Sequence, residues 1–107
     1  MKTLKESIEE FVEVVNEAIA KDYKTNYPSL TTTTVSIKEN RKYFKLLSSC
    51  GSVWGFIVKE NGVFKNTYIK TGDLLKAATF SSPAKGNRGN ILDGNARWNI
   101  YGPSYNN

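Results

Sequence analysis

Near the start of the chain, Leu4, Ile8, Phe11, Val12, Val15, Ala18 and Ile19 recur at steps of three and four. That spacing collects them on one side of an α-helix and leaves Glu9, Glu10, Glu13, Asn16 and Glu17 mainly on the other. Thr3-Leu4-Lys5-Glu6 reads as a capping box, in which the Thr3 hydroxyl accepts from the Glu6 N–H while Glu6 reaches back. An amphipathic helix is expected within residues 1–22, ending at about Asp22, before Asn26-Tyr27-Pro28-Ser29 turns the chain.

Beyond that turn the pattern becomes alternating and β-branched. "TTTTVSIK" (31–38) reads as a strand, and Glu39-Asn40 as a tight turn into "RKYFKLLSSC". "SVWGFIVK" (52–59) follows, then the hairpin signal Asn61-Gly62 and "VFKNTYIK" (63–70). After Thr71-Gly72-Asp73, "LLKAATF" (74–80) reads as a fifth strand in preference to a short helix capped by Asp73. The short connections imply an antiparallel meander. Alternation along the strands nominates Phe44, Leu46, Trp54, Phe56 and Val58 for the core, with Trp54, Phe56 and Val58 on one face. On the same rule Phe64, Asn66, Tyr68 and Lys70 share a face, and Gly55 marks a bulge or bend. The expected fold is α+β: one N-terminal helix packed on a four- or five-stranded antiparallel meander (31–80), then an irregular segment (81–107). In that last segment Trp98 or Tyr101 is expected to fold back over an open edge of the core.

The length of 107 residues suits a single domain. No apolar run approaches the roughly 18 residues of a membrane span, and "MKTLKESIEEF" lacks the apolar core of a secretory leader. The lone Cys50 builds no internal disulfide, so a reducing compartment is expected, with the thiol partly buried and structural at a strand end. Histidine is absent, which removes imidazole bases, Ser-His and Cys-His pairs and His-containing zinc sites. Glu39, Glu60, Asp73 and Asp93 are scattered along the chain. No catalytic residue, metal site or cofactor is therefore expected, and the chain reads as a non-enzyme.

The charge is unevenly divided. Residues 1–22 hold six acids and three bases, net −3, whereas residues 23–107 hold four acids and twelve bases, net +8. A basic body behind an acidic helix suits a polyanionic partner, or a second copy docking charge against charge.

The stretch "FSSPAKGNRGNILDGN" (80–95) combines three glycines, one proline, three asparagines and two cations. Gly86, Gly89 and Gly94 permit positive φ, at which successive N–H groups can form an anion nest flanked by Lys85 and Arg88. Walker spacing and a dinucleotide fingerprint are both lacking, and Gly, Asn and Pro also dominate ordinary turns. An ordered structural loop and a phosphate contact both stay open.

The same stretch resembles small phage-encoded proteins of unassigned activity. They carry an aromatic, two residues, Pro-Ala-Lys, two residues, then Arg-Gly-Asn and an aliphatic, matched here by Phe80, Pro83, Ala84, Lys85, Arg88, Gly89, Asn90 and Ile91. A Trp is more usual than Phe80 at the first position, and "YGPSY" resembles their Tyr-Gly-Pro ending. The resemblance covers the last third of the chain; it implies a phage origin and brings no activity with it.

Charge and aromatics together favour contact with single-stranded or phosphate-rich nucleic acid. Taken with the resemblance, which implies a phage origin, the expectation is a small phage accessory protein, cytoplasmic (the host cytoplasm if phage-encoded) or in the virion. The sheet body supplies Lys42, Lys45, Lys59, Lys65 and Lys70 as candidate contacts, joined by Lys85, Arg88 and Arg97 from the C-terminal segment. Tyr43, Tyr68, Trp98 and Tyr101 are the candidate stacking surfaces, because basic grooves with aromatic platforms hold single strands. The rival reading is a protein–protein module, a virion component or an inhibitor of a host protein, self-associating through helix and body.

Overall fold

The structure, a computed structural model, describes residues 2–100 and 102–103. Helix α1 (Leu4–Asn26) starts at the expected capping box: the Glu6 N–H donates to Thr3 Oγ1 (3.1 Å) and the Thr3 N–H to Glu6 Oε1 (2.9 Å). Accepting that Thr3 N–H holds the Glu6 carboxyl below its usual range. The helix runs one turn past Asp22. Tyr23 extends the apolar stripe, its hydroxyl 2.8 Å from Thr33 Oγ1, and the Asn26 side chain donates to Asp22 (2.7 Å). Pro28 then disfavours helical backbone at Tyr27, whose φ of −139° ends α1.

Five strands form one antiparallel sheet in the order β1 (Val35–Glu39), β2 (Tyr43–Ser48), β3 (Val53–Val58), β6 (Asp73–Ala77), β7 (Pro83–Asn90). Between β3 and β6 the chain makes a separate hairpin, β4 (Gly62–Phe64) and β5 (Thr67–Ile69); β8 (Trp98–Asn99) and β9 (Gly102–Pro103) pair near the end. Three expectations are corrected here. Strand β1 begins at Val35 and excludes the threonine run. The expected strand over 63–70 is two short strands, because Lys65 and Asn66 both take positive φ (50° and 63°), as a type I′ turn requires. That makes Lys65-Asn66 the hairpin turn in place of Asn61-Gly62. Part of the segment expected to be irregular, Pro83–Asn90, is the fifth strand of the sheet.

All five nominated core residues are buried, but on two faces. Leu46 pairs with Gly55 and Leu47 with Val53, so Trp54 is an extra residue in β3, a bulge beside the glycine that signalled it. The bulge reverses the alternation. Trp54 joins Phe44, Leu46, Ile57 and Leu74 under Ile8, Val12, Val15 and Ile19 of α1. Phe56 and Val58 point the other way and pack with Leu75 and with Ile69 and Phe64 of the hairpin. The parity expected for the hairpin changes likewise. The cross-strand pairs put Gly62, Phe64, Thr67 and Ile69 on its inner side, leaving Val63 and Tyr68 outward.

Trp98 does fold back. Its ring meets Phe11 edge-on at 5.8 Å and Trp54 at 6.0 Å, and Phe11 and Trp54 also meet at 6.0 Å. Tyr101 lies outside the described residues. Asn16, assigned to the solvated helix face, is instead half-buried: Val35 N–H donates to its Oδ1 (2.7 Å) and its Nδ2 donates to Val35 C=O (3.0 Å). One amide thus occupies the outward N–H and C=O of Val35, at one end of the edge strand β1.

These contacts rank the helix positions. Phe11→Ala removes two edge-on ring partners and should cost about 3 kcal/mol. Asn16→Ala strands two backbone groups and should cost about 1–2 kcal/mol, while exposed Glu13→Ala stays within about 0.5 kcal/mol. Urea melts that returned the same loss for all three would contradict this packing.

Candidate functional site: a polar cleft beside β7

Strand β7 is built from "PAKGNRGN", poor strand material, and the register explains how. Asp73 pairs with Asn90, Leu75 with Asn87 and Ala77 with Pro83. Against β6, β7 therefore carries one extra residue between Asn90 and Asn87 and two between Asn87 and Pro83. Gly89 and Gly86 occupy those two irregularities, each with φ near +90°. At Gly89 the need is also steric. A Cβ there would overlap the Asn95 carbonyl oxygen and fall 2.7 Å from Ala96 Cα. The glycine lets residues 95–97 cross close over β7, where the Arg97 N–H donates to Arg88 C=O (2.6 Å).

This geometry does not form the phosphate cradle considered for the stretch. The Gly89 N–H is taken by Asn87 Oδ1 (3.0 Å). Arg88 is only 6% exposed, and its Nη1 donates to Gly86 C=O (2.8 Å), so its guanidinium stays against its own strand. Of the two cations expected to flank the cradle, only Lys85 is exposed.

What the stretch does build is one wall of a cleft of about 610 Å³. The hairpin contributes Tyr68 and Lys70 to the opposite side, and Asn87, Asn95 and Arg97 line the β7 side. Asp73 and Asn90, both buried, hold the structure beneath. Asn90 Nδ2 donates to Asp73 Oδ1 (3.0 Å) and to Thr71 C=O (2.9 Å), while its Oδ1 accepts from the N–H groups of Leu92 (2.7 Å) and Asp93 (3.2 Å). The second Asp73 oxygen accepts the Lys70 N–H (2.9 Å). At the rim Lys70 Nζ bridges to Asp93 Oδ2 (2.8 Å), which holds that ammonium above the usual lysine range. Arg97 is half-buried, and its Nε is shielded from solvent with no hydrogen-bond partner among the described residues. Tyr68 is 85% exposed.

The cleft thus gathers Gly89, Tyr68, Lys70 and Arg97 from the residues singled out in the sequence. The others lie elsewhere. Lys45, expected as a surface cation, is 7% exposed with its ammonium 4.0 Å from the Phe80 ring centroid. Lys59 pairs with Glu39 (2.7 Å), and Lys42 and Lys65 are exposed outside the cleft lining. Tyr43 is half-buried against Phe56 (5.7 Å) and Phe64 (6.4 Å), and burial pushes its hydroxyl pKa up. Trp98 belongs to the ring cluster on α1. Sequence reasoning gives Asn87, Asn90 and Asn95 no place in a site, although their clustering within nine residues is the available signal.

Cys50 also departs from expectation. It is exposed in the β2–β3 turn, with Ser48 Oγ at 3.0 Å and Ser52 Oγ at 3.4 Å. Those hydroxyls, Ser48 foremost, lower its pKa to about 7.

Among the described residues no three of His, Cys, Asp and Glu are grouped to hold a metal ion, and no helix is long and apolar enough to cross a membrane. One protein-family model matches residues 1–103, a span that includes α1, the hairpin and every strand. The chain belongs to DUF7717, a family of unknown function. No curated protein and no solved structure matches it. The family match takes in the whole cleft, so hairpin and β7 lie within one family unit.

Two outcomes test this geometry. Gly89→Ala combines positive-φ strain with backbone overlap and should cost more than about 2 kcal/mol, whereas Gly86→Ala, whose Cβ meets only Arg88 Nη1 at 3.3 Å, should cost about 1 kcal/mol. Equal melting temperatures for the two variants would contradict the crossing at Gly89. Iodoacetamide alkylation of Cys50 should reach half its maximal rate near pH 7, against about 8.5 for an ordinary thiol. Ser48→Ala should move that midpoint upward; an unmoved midpoint would remove the hydroxyl as its cause.

Proposed function

We propose that this domain is a non-enzymatic binding module for single-stranded nucleic acid, and that the cleft beside β7 is where it binds. The observation that carries this reading is Tyr68, 85% exposed at the mouth of a polar cleft that also holds Arg97. Packing does not call for an aromatic at that outward position, since Phe64 and Ile69 already anchor the hairpin from its inner side. An open aromatic face beside cations is what an unpaired base stacks on, whichever base it is. Arg97 offers a planar donor set to a phosphate, and the amides of Asn87 and Asn95 offer both donors and acceptors to base edges. The net +8 of residues 23–107 gives such a ligand a favourable long-range field.

The likeness of residues 80–91 to phage-encoded proteins supports a phage accessory role, in the host cytoplasm or the virion. A protein partner, or a second copy, is the competing reading, and charge separation between α1 and the body favours it. Strand addition at Val35 is not an open route to such a partner, because Asn16 occupies that residue's N–H and C=O.

Fluorescence anisotropy with labelled oligothymidylate at low salt tests the proposal. Tyr68→Ala should weaken binding by roughly 5- to 150-fold, the equivalent of about 1–3 kcal/mol for one stacked base. Arg97→Ala should flatten the log–log salt dependence by about 0.7. Absence of binding by the unmodified protein, together with an absorbance spectrum free of nucleic acid after purification without nuclease, would overturn it.

A further inference from the structure

The β4–β5 hairpin separates two hollows. On the side away from the β7 cleft lies a second one of about 250 Å³, with Arg41, Lys42, Tyr43 and Glu60 in its lining. Asn61, Gly62 and Ile69 line both hollows, so the same short hairpin is the partition between them. Its inner residues, Phe64 and Ile69, are seated in the core. Its outward pair, Val63 and Tyr68, sit directly across the ladder from each other and are 64% and 85% exposed. The partition is therefore a firmly anchored ridge with an apolar, aromatic crest.

Charge is disposed on both flanks of that ridge. Arg41 and Lys42 are exposed, and neither side chain has a hydrogen bond or ion pair among the described residues. The nearby acids are Glu60, which lines the same hollow, and Glu39, which is engaged by Lys59. On the other flank Lys70 pairs with Asp93, the buried Asp73 carboxylate is hydrogen-bonded by Asn90 and the Lys70 N–H, and Arg97 is the cation in no ion pair among the described residues. Cations thus stand on either side of a crest suited to stacking. Two strands of a ladder lie only about 4.8 Å apart, so a few nucleotides suffice to cross it.

We infer, resting on the reading of the cleft as a nucleic-acid site, that a single strand passes over the β4–β5 hairpin. Its phosphates lie at Arg41 and Lys42 on one flank and at Arg97 on the other, and a base stacks on the Val63–Tyr68 crest. A duplex is excluded from this arrangement, because its base faces are already covered by their neighbours. The track also gives a role to the two-residue turn at Lys65-Asn66: it ends the crest and adds an exposed cation beside the path.

The test is salt-dependent binding of oligothymidylate by three forms of the full chain: unmodified, Arg41→Ala/Lys42→Ala, and Lys21→Ala/Lys24→Ala. The last removes the same charge from the exposed end of α1. All four positions are on the surface, and circular dichroism checks the fold of each form. The Arg41/Lys42 change should flatten the log–log slope by about 1.4, two contacts of about 0.7 each, while the α1 change leaves it nearly unaltered. Equal flattening by both would reduce the effect to net charge and overturn the track. Binding whose slope ignores Arg41 and Lys42 would also overturn it while leaving the cleft reading standing. Failure of the unmodified protein to bind at all would overturn both.

Discussion

The buried contact between Asp73 and Asn90 organises the part of this domain where its chemistry is concentrated. Asp73 is 3% exposed, and a carboxylate in that position is tolerable only if its oxygens find donors. They find Asn90 Nδ2 and the Lys70 N–H. The Asn90 side chain in turn ties Thr71, Leu92 and Asp93, and the Asn90 N–H donates to Asn95 Oδ1 (2.7 Å). A single amide therefore fixes the end of β7, the turn into β6 and the loop that follows β7. The cleft walls inherit their positions from it.

The second constraint is the covering of both faces of a small sheet. One helix can cover only one face. The bulge at Trp54 sends that ring and Ile57 towards α1 while Phe56 and Val58 face away, so a second cover is needed. The hairpin provides it through Phe64 and Ile69. Because its strands are three residues long, anchoring the inner pairs leaves Val63 and Tyr68 outside. Tyr68 is thus held at the cleft mouth as a consequence of how the reverse face is covered, and core and candidate site share one element.

Much of this was legible in the sequence. The period of α1, its Thr3–Glu6 cap and the antiparallel nature of the strands follow from local spacing, which is why they were readable. The five core residues were also recognisable, although their division between faces was not, since one bulged residue reverses the parity of everything beyond it. Strand β7 was hidden because its glycines, asparagines and proline are turn formers by propensity. They become strand only through long-range pairing with β6, in irregularities that need positive φ. For the same reason Arg88 read as a surface cation: the carbonyl it meets, Gly86, lies within its own strand. Lys45 reads as a surface cation because nothing local in the sequence places the Phe80 ring, 35 residues on, over its ammonium. Tyr68 and Arg97 were nameable from residue type, but only the fold brings them to one cleft.

Native-state amide hydrogen exchange on Asn90→Ala tests the central role of the Asp73–Asn90 contact most directly. If that side chain organises the region, protection should fall together at Lys70, Leu92, Asp93 and Arg97, while the β2–β3 amides keep theirs. The expected loss corresponds to about 1–3 kcal/mol for the buried groups left without partners. Loss confined to Leu92 and Asp93, the two amides that donate to the Asn90 side chain, would contradict the account.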